Sequence, residues 1–89
     1  MKVKLRFFGT LALKHGTEIE LELRKGISWG EAVDYIFQKF GLGKINYKEG
    51  TSLMAPGYLL LYLNGRERPP EWPINEGDEI VLAHPLVGG

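Results

Sequence analysis

Between Met1 and Phe8 the chain alternates, with Val3, Leu5 and Phe7 apolar and Lys2, Lys4 and Arg6 basic. A period of two predicts a strand with one buried face. Glu18 to Arg24 repeats the pattern with the opposite charge: Ile19, Leu21 and Leu23 are apolar, and Glu18, Glu20 and Glu22 are acidic. Paired antiparallel, the two strands set bases against acids on one face, each pair contributing about 0.2–1 kcal/mol. The connection from Gly9 to Gly16 exceeds a tight turn. Leu11 and Leu13 are expected to tuck against the core from it, and His15 to be solvated.

The period then changes. Ser28 is placed as a helix N-cap with Glu31 three residues on, the spacing of a capping box, and Ile27 before it can pack on Ala32. Trp29, Val33, Ile36, Phe37 and Phe40 follow on one helical stripe, and Gly41 offers a left-handed stop. Burial of each such side chain contributes about 1.5–3 kcal/mol, so the stripe is read as core. Lys44 to Gly57 shows little periodicity and reads as a long loop. Tyr58 to Leu63 is apolar on both faces, as in a strand packed on two sides. Asn64-Gly65 is a hairpin signal, because both turn residues must accept positive φ. Arg66 to Arg68 is expected to return as a short charged edge strand. Pro69, Pro70 and Pro73 interrupt regular structure, with Trp72 and Ile74 expected to anchor the loop. Glu76-Gly77-Asp78 turns the chain into a last strand, Glu79 to His84, closed by Pro85.

One helix after an N-terminal hairpin, then a return to strands, predicts an α+β architecture. The sheet is mixed and four- to five-stranded, the main helix packs across one face, and first and last strands lie side by side at its centre. By analogy of element order this is a ubiquitin-like β-grasp. Residues 1–84 form the domain and residues 85–89 a flexible tail.

Composition narrows the chemistry. With no cysteine, disulfides, a thiol nucleophile and thiolate metal sites are excluded. His15 and His84 are not spaced as a ligand pair, so no metal site is expected. Eleven basic residues balance eleven acidic ones, which argues against nucleic acid or an anionic membrane as partner. The longest apolar run, Tyr58 to Leu63, is far shorter than the roughly 20 residues of a membrane helix. Lys2, Lys4 and Arg6 interrupt any signal-peptide apolar region. A cytoplasmic protein is expected. Ser28 has no base beside it and is read as a cap, and no catalytic triad is available.

The chemistry-bearing segment is the ending Pro85-Leu86-Val87-Gly88-Gly89. A terminal carboxylate has a pKa of about 3.3–3.7, so it is ionised and able to attack the α-phosphate of ATP. The resulting acyl-adenylate is open to a sulfur or nitrogen nucleophile. For this the tail must enter another protein's active site as a thin thread. Gly88 and Gly89, lacking Cβ, permit that close approach. Pro85 keeps the base of the tail extended, and Leu86 and Val87 supply apolar grip. If Val3, Leu5 and Phe7 face the helix, Phe8 points to the other side of the sheet with Leu60, Tyr62, Val81 and Ala83. So much apolar surface on an open face predicts a docking patch.

The stretch Glu76-Gly77-Asp78-Glu79-Ile80-Val81-Leu82-Ala83-His84-Pro85-Leu86-Val87-Gly88-Gly89 resembles the ending of the molybdopterin-synthase small-subunit family. Val3-Lys4-Leu5-Arg6-Phe7-Phe8-Gly9 is similar to that family's first strand, and Leu63-Asn64-Gly65 to its central hairpin. The sequence departs at His84, where an aromatic or proline is common, and in the length of Lys44 to Gly57. The resemblance implies adenylation of Gly89 by a zinc-containing, ATP-using enzyme related to ubiquitin activators, then conversion to a thiocarboxylate by way of a sulfur-donor enzyme. It implies insertion of the tail into a molybdopterin-synthase large subunit and sulfur donation to a pterin precursor. No cofactor is expected on the chain itself, and ATP is consumed by the partner. The chain would be a subunit or co-substrate of a sulfurtransferase, with no turnover alone. The sulfur carriers of thiamine synthesis and tRNA thiolation, and ubiquitin-like modifiers joined to lysines, share the same tail. A plain interaction domain with an incidental tail is the remaining alternative.

Overall fold

The computed structural model describes residues 1–42, 46–47, 53–54 and 60–83. The two alternating segments form strands β1, Lys2–Phe8, and β2, Glu18–Glu22, paired antiparallel with Arg6 opposite Glu18 and Lys2 opposite Glu22. The last strand, β6, Glu79–Ala83, lies parallel to β1, with Leu5 beside Ile80 and Phe7 beside Leu82. Strand β5, Leu60–Leu63, completes the sheet against β6 in the order β2-β1-β6-β5. First and last strands therefore occupy its centre, as the element order predicts.

One face of that sheet is buried. Val3, Leu5 and Phe7 of β1, Ile80 and Leu82 of β6, and Leu61 and Leu63 of β5 all point into the core. Helix α2, Trp29–Phe40, answers them with Trp29, Val33, Ile36 and Phe37, each almost wholly enclosed. The other face carries the polar set. Lys2 reaches Glu20 at 3.6 Å, Lys4 reaches Glu18 at 3.7 Å, and the N-terminal ammonium lies 3.6 Å from Glu22. The two lysine pairs are exposed, so each contributes no more than about 1 kcal/mol.

The start of α2 is fully capped. The Ser28 hydroxyl accepts the Glu31 N–H at 3.2 Å, and the Ser28 N–H donates to the Glu31 carboxylate at 3.2 Å. The proline-rich segment supplies two more acceptors. Trp29 N–H donates to the Trp72 carbonyl at 2.7 Å, and Gly30 N–H to that of Pro70 at 2.8 Å. At the other end Gly41 adopts φ 66° and ψ 38°, and Leu42 N–H bonds back to the Phe37 carbonyl. That left-handed turn is inexpensive for glycine alone.

Between Gly9 and Gly16 three local expectations are corrected. Gly9 to Gly16 is not a plain loop: helix α1, Thr10–His15, occupies it. Leu13 is 90% exposed rather than tucked in, because Ala12 and His15, three residues apart, share the inward face and Leu13 falls opposite. His15 is not solvated. Its ring stands 5.3 Å from that of Phe7 and 5.2 Å from that of Phe40, and its buried Nε2 has no hydrogen-bond partner among the described residues. The Leu11 side chain lies outside the described residues.

Within 44–57, strands β3, Asn46–Tyr47, and β4, Leu53–Met54, pair antiparallel, too short to show a period. Arg66 to Arg68 forms no strand. A single bridge joins Leu63 and Arg66, and prolines follow at once. Trp72 remains 40% exposed beneath the Arg68 guanidinium, 4.6 Å from its ring centre; it anchors through its carbonyl, whereas Ile74 is buried. Tyr58 and His84, expected at strand ends, lie outside the described residues.

The hairpin turn is as predicted, with Asn64 at φ 53° and Gly65 at φ 81°. Asn64 also ties the turn to β6, donating to Asp78 at 3.0 Å and accepting from the Glu79 N–H at 2.9 Å. Asn64→Ala is expected to destabilise the fold by about 1–3 kcal/mol in urea titration. Asn64→Gly should recover only the backbone part. The Glu31 carboxyl is held below its ordinary value of 4.5, first by the Ser28 N–H, then by the Ser28 hydroxyl and Arg24, against a desolvation that opposes them. A depressed folded pKa stabilises above the ordinary value, and that contribution is lost as pH falls through the folded one. Thermal melts from neutral pH to below 4.5 should therefore show a smaller acid-induced loss for Glu31→Gln than for the natural chain.

Candidate functional site

Because Val3, Leu5 and Phe7 turn toward α2, the next residue, Phe8, must emerge on the opposite face. Register fixes its neighbours. Phe8 lies beside Ala83, and Ala83 beside Leu60; one row back, Arg6 lies beside Val81 and Val81 beside Tyr62. The five apolar residues singled out from sequence thus form two adjoining rows across β1, β6 and β5. Phe8 is 44% and Leu60 37% exposed, while Tyr62, Val81 and Ala83 are half-buried. The structure brings this part of the predicted patch together.

Arg6 is the residue that sequence reasoning undervalued. Read as one of three solvated bases, it stands at the seam between the charged and apolar halves of the face. Its guanidinium lies 5.4 Å from the centre of the Phe8 ring, with Nη1 3.6 Å from Glu79 and Nε 3.9 Å from Glu18. A cation over an exposed aromatic contributes about 0.5–1 kcal/mol, enough to bias the Phe8 ring against the sheet. The available signal was its spacing: two residues before Phe8 in a strand is the same face.

Strand β6 ends at Ala83, between Phe8 and Leu60. Pro85, Leu86, Val87, Gly88 and Gly89 lie outside the described residues. Among the described residues no group of three His, Asp or Glu side chains could hold a metal ion, and no helix is long and apolar enough to cross a membrane. What the face offers chemically is apolar area bordered by charge.

No protein-family model and no curated protein matches the sequence. Solved structures do match its fold. Small archaeal modifier protein 1 from Haloferax volcanii superimposes with a TM-score of 0.74 at 18% identity, covering 100% of both chains. A Pyrococcus furiosus protein assigned as molybdopterin converting factor subunit 1 gives 0.72 at 22% identity, covering 97% of this chain and 99% of its own. In the complex of subunits 1 and 2 of molybdopterin-converting factor from Helicobacter pylori, the matching chain gives 0.62 at 26% identity, with 100% of both covered. The chain has the ubiquitin-like β-grasp fold of these neighbours, the fold that the resemblance in its sequence implied.

An open face tolerates charge that a core does not. Leu60→Asp is expected to change stability by less than about 0.5 kcal/mol, and Phe8→Asp, which also removes the Arg6 contact, to cost about 0.5–1 kcal/mol. Phe7→Ala, one residue away on the buried face, should cost about 3–5 kcal/mol. Urea midpoints of the three variants check the assignment.

Proposed function

We propose that this protein is a ubiquitin-like sulfur carrier that acts through Gly88-Gly89. Residues 1–84 serve as the recognised body and residues 85–89 as the thread. The observation that carries the reading is positional. In sequence the Pro-Leu-Val-Gly-Gly ending begins two residues after the last residue of a central strand, Ala83, which sits in a partly exposed apolar row. A partner gripping Phe8, Leu60, Tyr62, Val81 and Ala83 would hold the body beside the point from which the tail is fed to its active site. Pro85, Leu86 and Val87 would extend that contact along the thread.

The chemistry follows from the carboxylate. An activating enzyme brings the Gly89 carboxylate against the α-phosphate of ATP; pyrophosphate leaves and an acyl-adenylate forms. A hydrosulfide-level nucleophile, delivered by a sulfur-donor enzyme, attacks the acyl carbon and expels AMP, leaving a thiocarboxylate and a proton. Glycine at both positions leaves the attacked carbonyl uncrowded. The acceptor on this reading is a pterin precursor held by a molybdopterin-synthase large subunit in the cytoplasm. The Helicobacter pylori neighbour, solved as a complex of subunits 1 and 2, supports the choice. The carrier has no turnover alone, and ATP is bound by its partner. A second reading, conjugation through Gly89 to lysines, is favoured by the end-to-end match to small archaeal modifier protein 1.

Intact mass spectrometry of the protein from its native cells separates the two. A species heavier by the difference between sulfur and oxygen is expected for the carrier, and adducts with other proteins for the modifier. One residue appended after Gly89 should abolish either outcome; undiminished function of that variant would sink both. Leu60→Asp combined with Tyr62→Asp should leave the fold intact and weaken binding to the activating enzyme tenfold or more.

A further inference from the structure

The edge of the sheet formed by β2, opposite the β5 edge, carries a second surface. Strand β2 bonds to β1 through its odd residues. Leu23 N–H donates to the Met1 carbonyl at 2.8 Å, the N-terminal ammonium donates back to Leu23 at 2.6 Å, and Phe7 N–H donates to Thr17 at 3.0 Å. Antiparallel strands alternate, so the main-chain N–H and C=O groups of Glu18, Glu20 and Glu22 point away from β1. Among the described residues no strand pairs with that edge.

Beside the edge runs an open groove of about 470 Å³ between the end of β2 and the outer face of α2. Leu23 and Ile27 form its floor, and Tyr35, 43% exposed, stands on its helical wall. Glu22, Glu31 and Asp34 rim it against Arg24, which already binds Glu31 at 2.5 Å. Lys39 approaches the Tyr35 ring only at 6.0 Å. Edge and groove together are apolar at depth and acidic at the rim.

Side chains directly opposite in paired strands share a face. A strand added to β2 would set alternate residues beside Glu18, Glu20 and Glu22, where basic side chains are favoured. The intervening residues would fall on the groove side, beside Leu21 and Leu23, where apolar ones are favoured. Strand β1 already presents that pattern to the other side of β2. We propose that the β2 edge and its groove bind an extended segment of a partner protein in which basic and apolar residues alternate, by strand addition. A charged edge ordinarily discourages pairing; here the single sign of its charges selects which strand is admitted. The surface is independent of the C-terminal chemistry.

The test uses the full chain and a capped peptide, Lys-Val-Lys-Leu-Arg-Phe, followed by amide chemical shifts. Saturable binding is expected, with the largest shifts at Glu18, Glu20, Glu22, Tyr35 and Gln38 and slowed hydrogen exchange at Glu20. Added salt should weaken it. A peptide with glutamate at each basic position, and one N-methylated at alternate backbone nitrogens, should each bind at least tenfold more weakly. Glu20→Pro removes an outward N–H that the sheet does not use, so it should fold and lose binding tenfold. Should that variant fail to fold, Tyr35→Ser on the exposed helix face takes its place with the same expectation. Absence of binding, equal binding of the acidic or N-methylated peptide, or shifts centred on Phe8 and Val81 would each overturn the proposal. Removal of Gly88-Gly89 should leave the affinity unchanged, so the sulfur-carrier reading and this one fail separately.

Discussion

The parallel pairing of β1 with β6 joins the two ends of the sequence at the centre of the sheet, and the positions of the other surfaces follow from it. Leu5 beside Ile80 and Phe7 beside Leu82 give α2 a continuous apolar floor. The same register, one residue on, puts Phe8 beside Ala83 on the opposite side. A slip by one residue would turn one set outward and the other inward, so burial under α2 holds the register and with it the apolar rows.

The open face is divided by chemistry rather than by backbone. Toward β2 it carries acids and bases whose exposed pairings add little to stability. Toward β5 it carries apolar residues that are exposed or only half-buried and so gain less from folding than the core does. Neither half is needed to hold the fold together, which leaves both available for recognition. Arg6 links them: its charge belongs to Glu18 and Glu79, its flat face to Phe8.

Legibility in the sequence followed the length of the repeating signal. The alternation of Val3, Leu5 and Phe7 and the helical stripe from Trp29 to Phe40 each run through several repeats, and the burial they predict is observed at every position but Phe40, which is only partly buried at the helix end. Capping was equally readable, because Ser28 and Glu31 interact over three residues. Short or nonlocal signals failed. A six-residue helix has too few turns for Ala12 and His15 to outvote Leu13, and β3 and β4 are two residues each. The role of Pro70 and Trp72 carbonyls at the start of α2 is a long-range main-chain contact that no residue type announces. The apolar rows were readable because strand geometry forces alternation. Gly88 and Gly89 lie outside the described residues, and their chemistry rests on the residue types alone.

The side-by-side, same-direction arrangement of β1 and β6 has a mechanical corollary. A force applied between the start of β1 and the end of β6 runs along both strands, loading their shared hydrogen bonds in shear so that they must yield together. Tension on β5 relative to β6, an antiparallel pair joined through a different path, would instead open bonds in sequence. A pull on the C-terminal strand against a held N-terminus thus loads the β1–β6 bonds together rather than one by one.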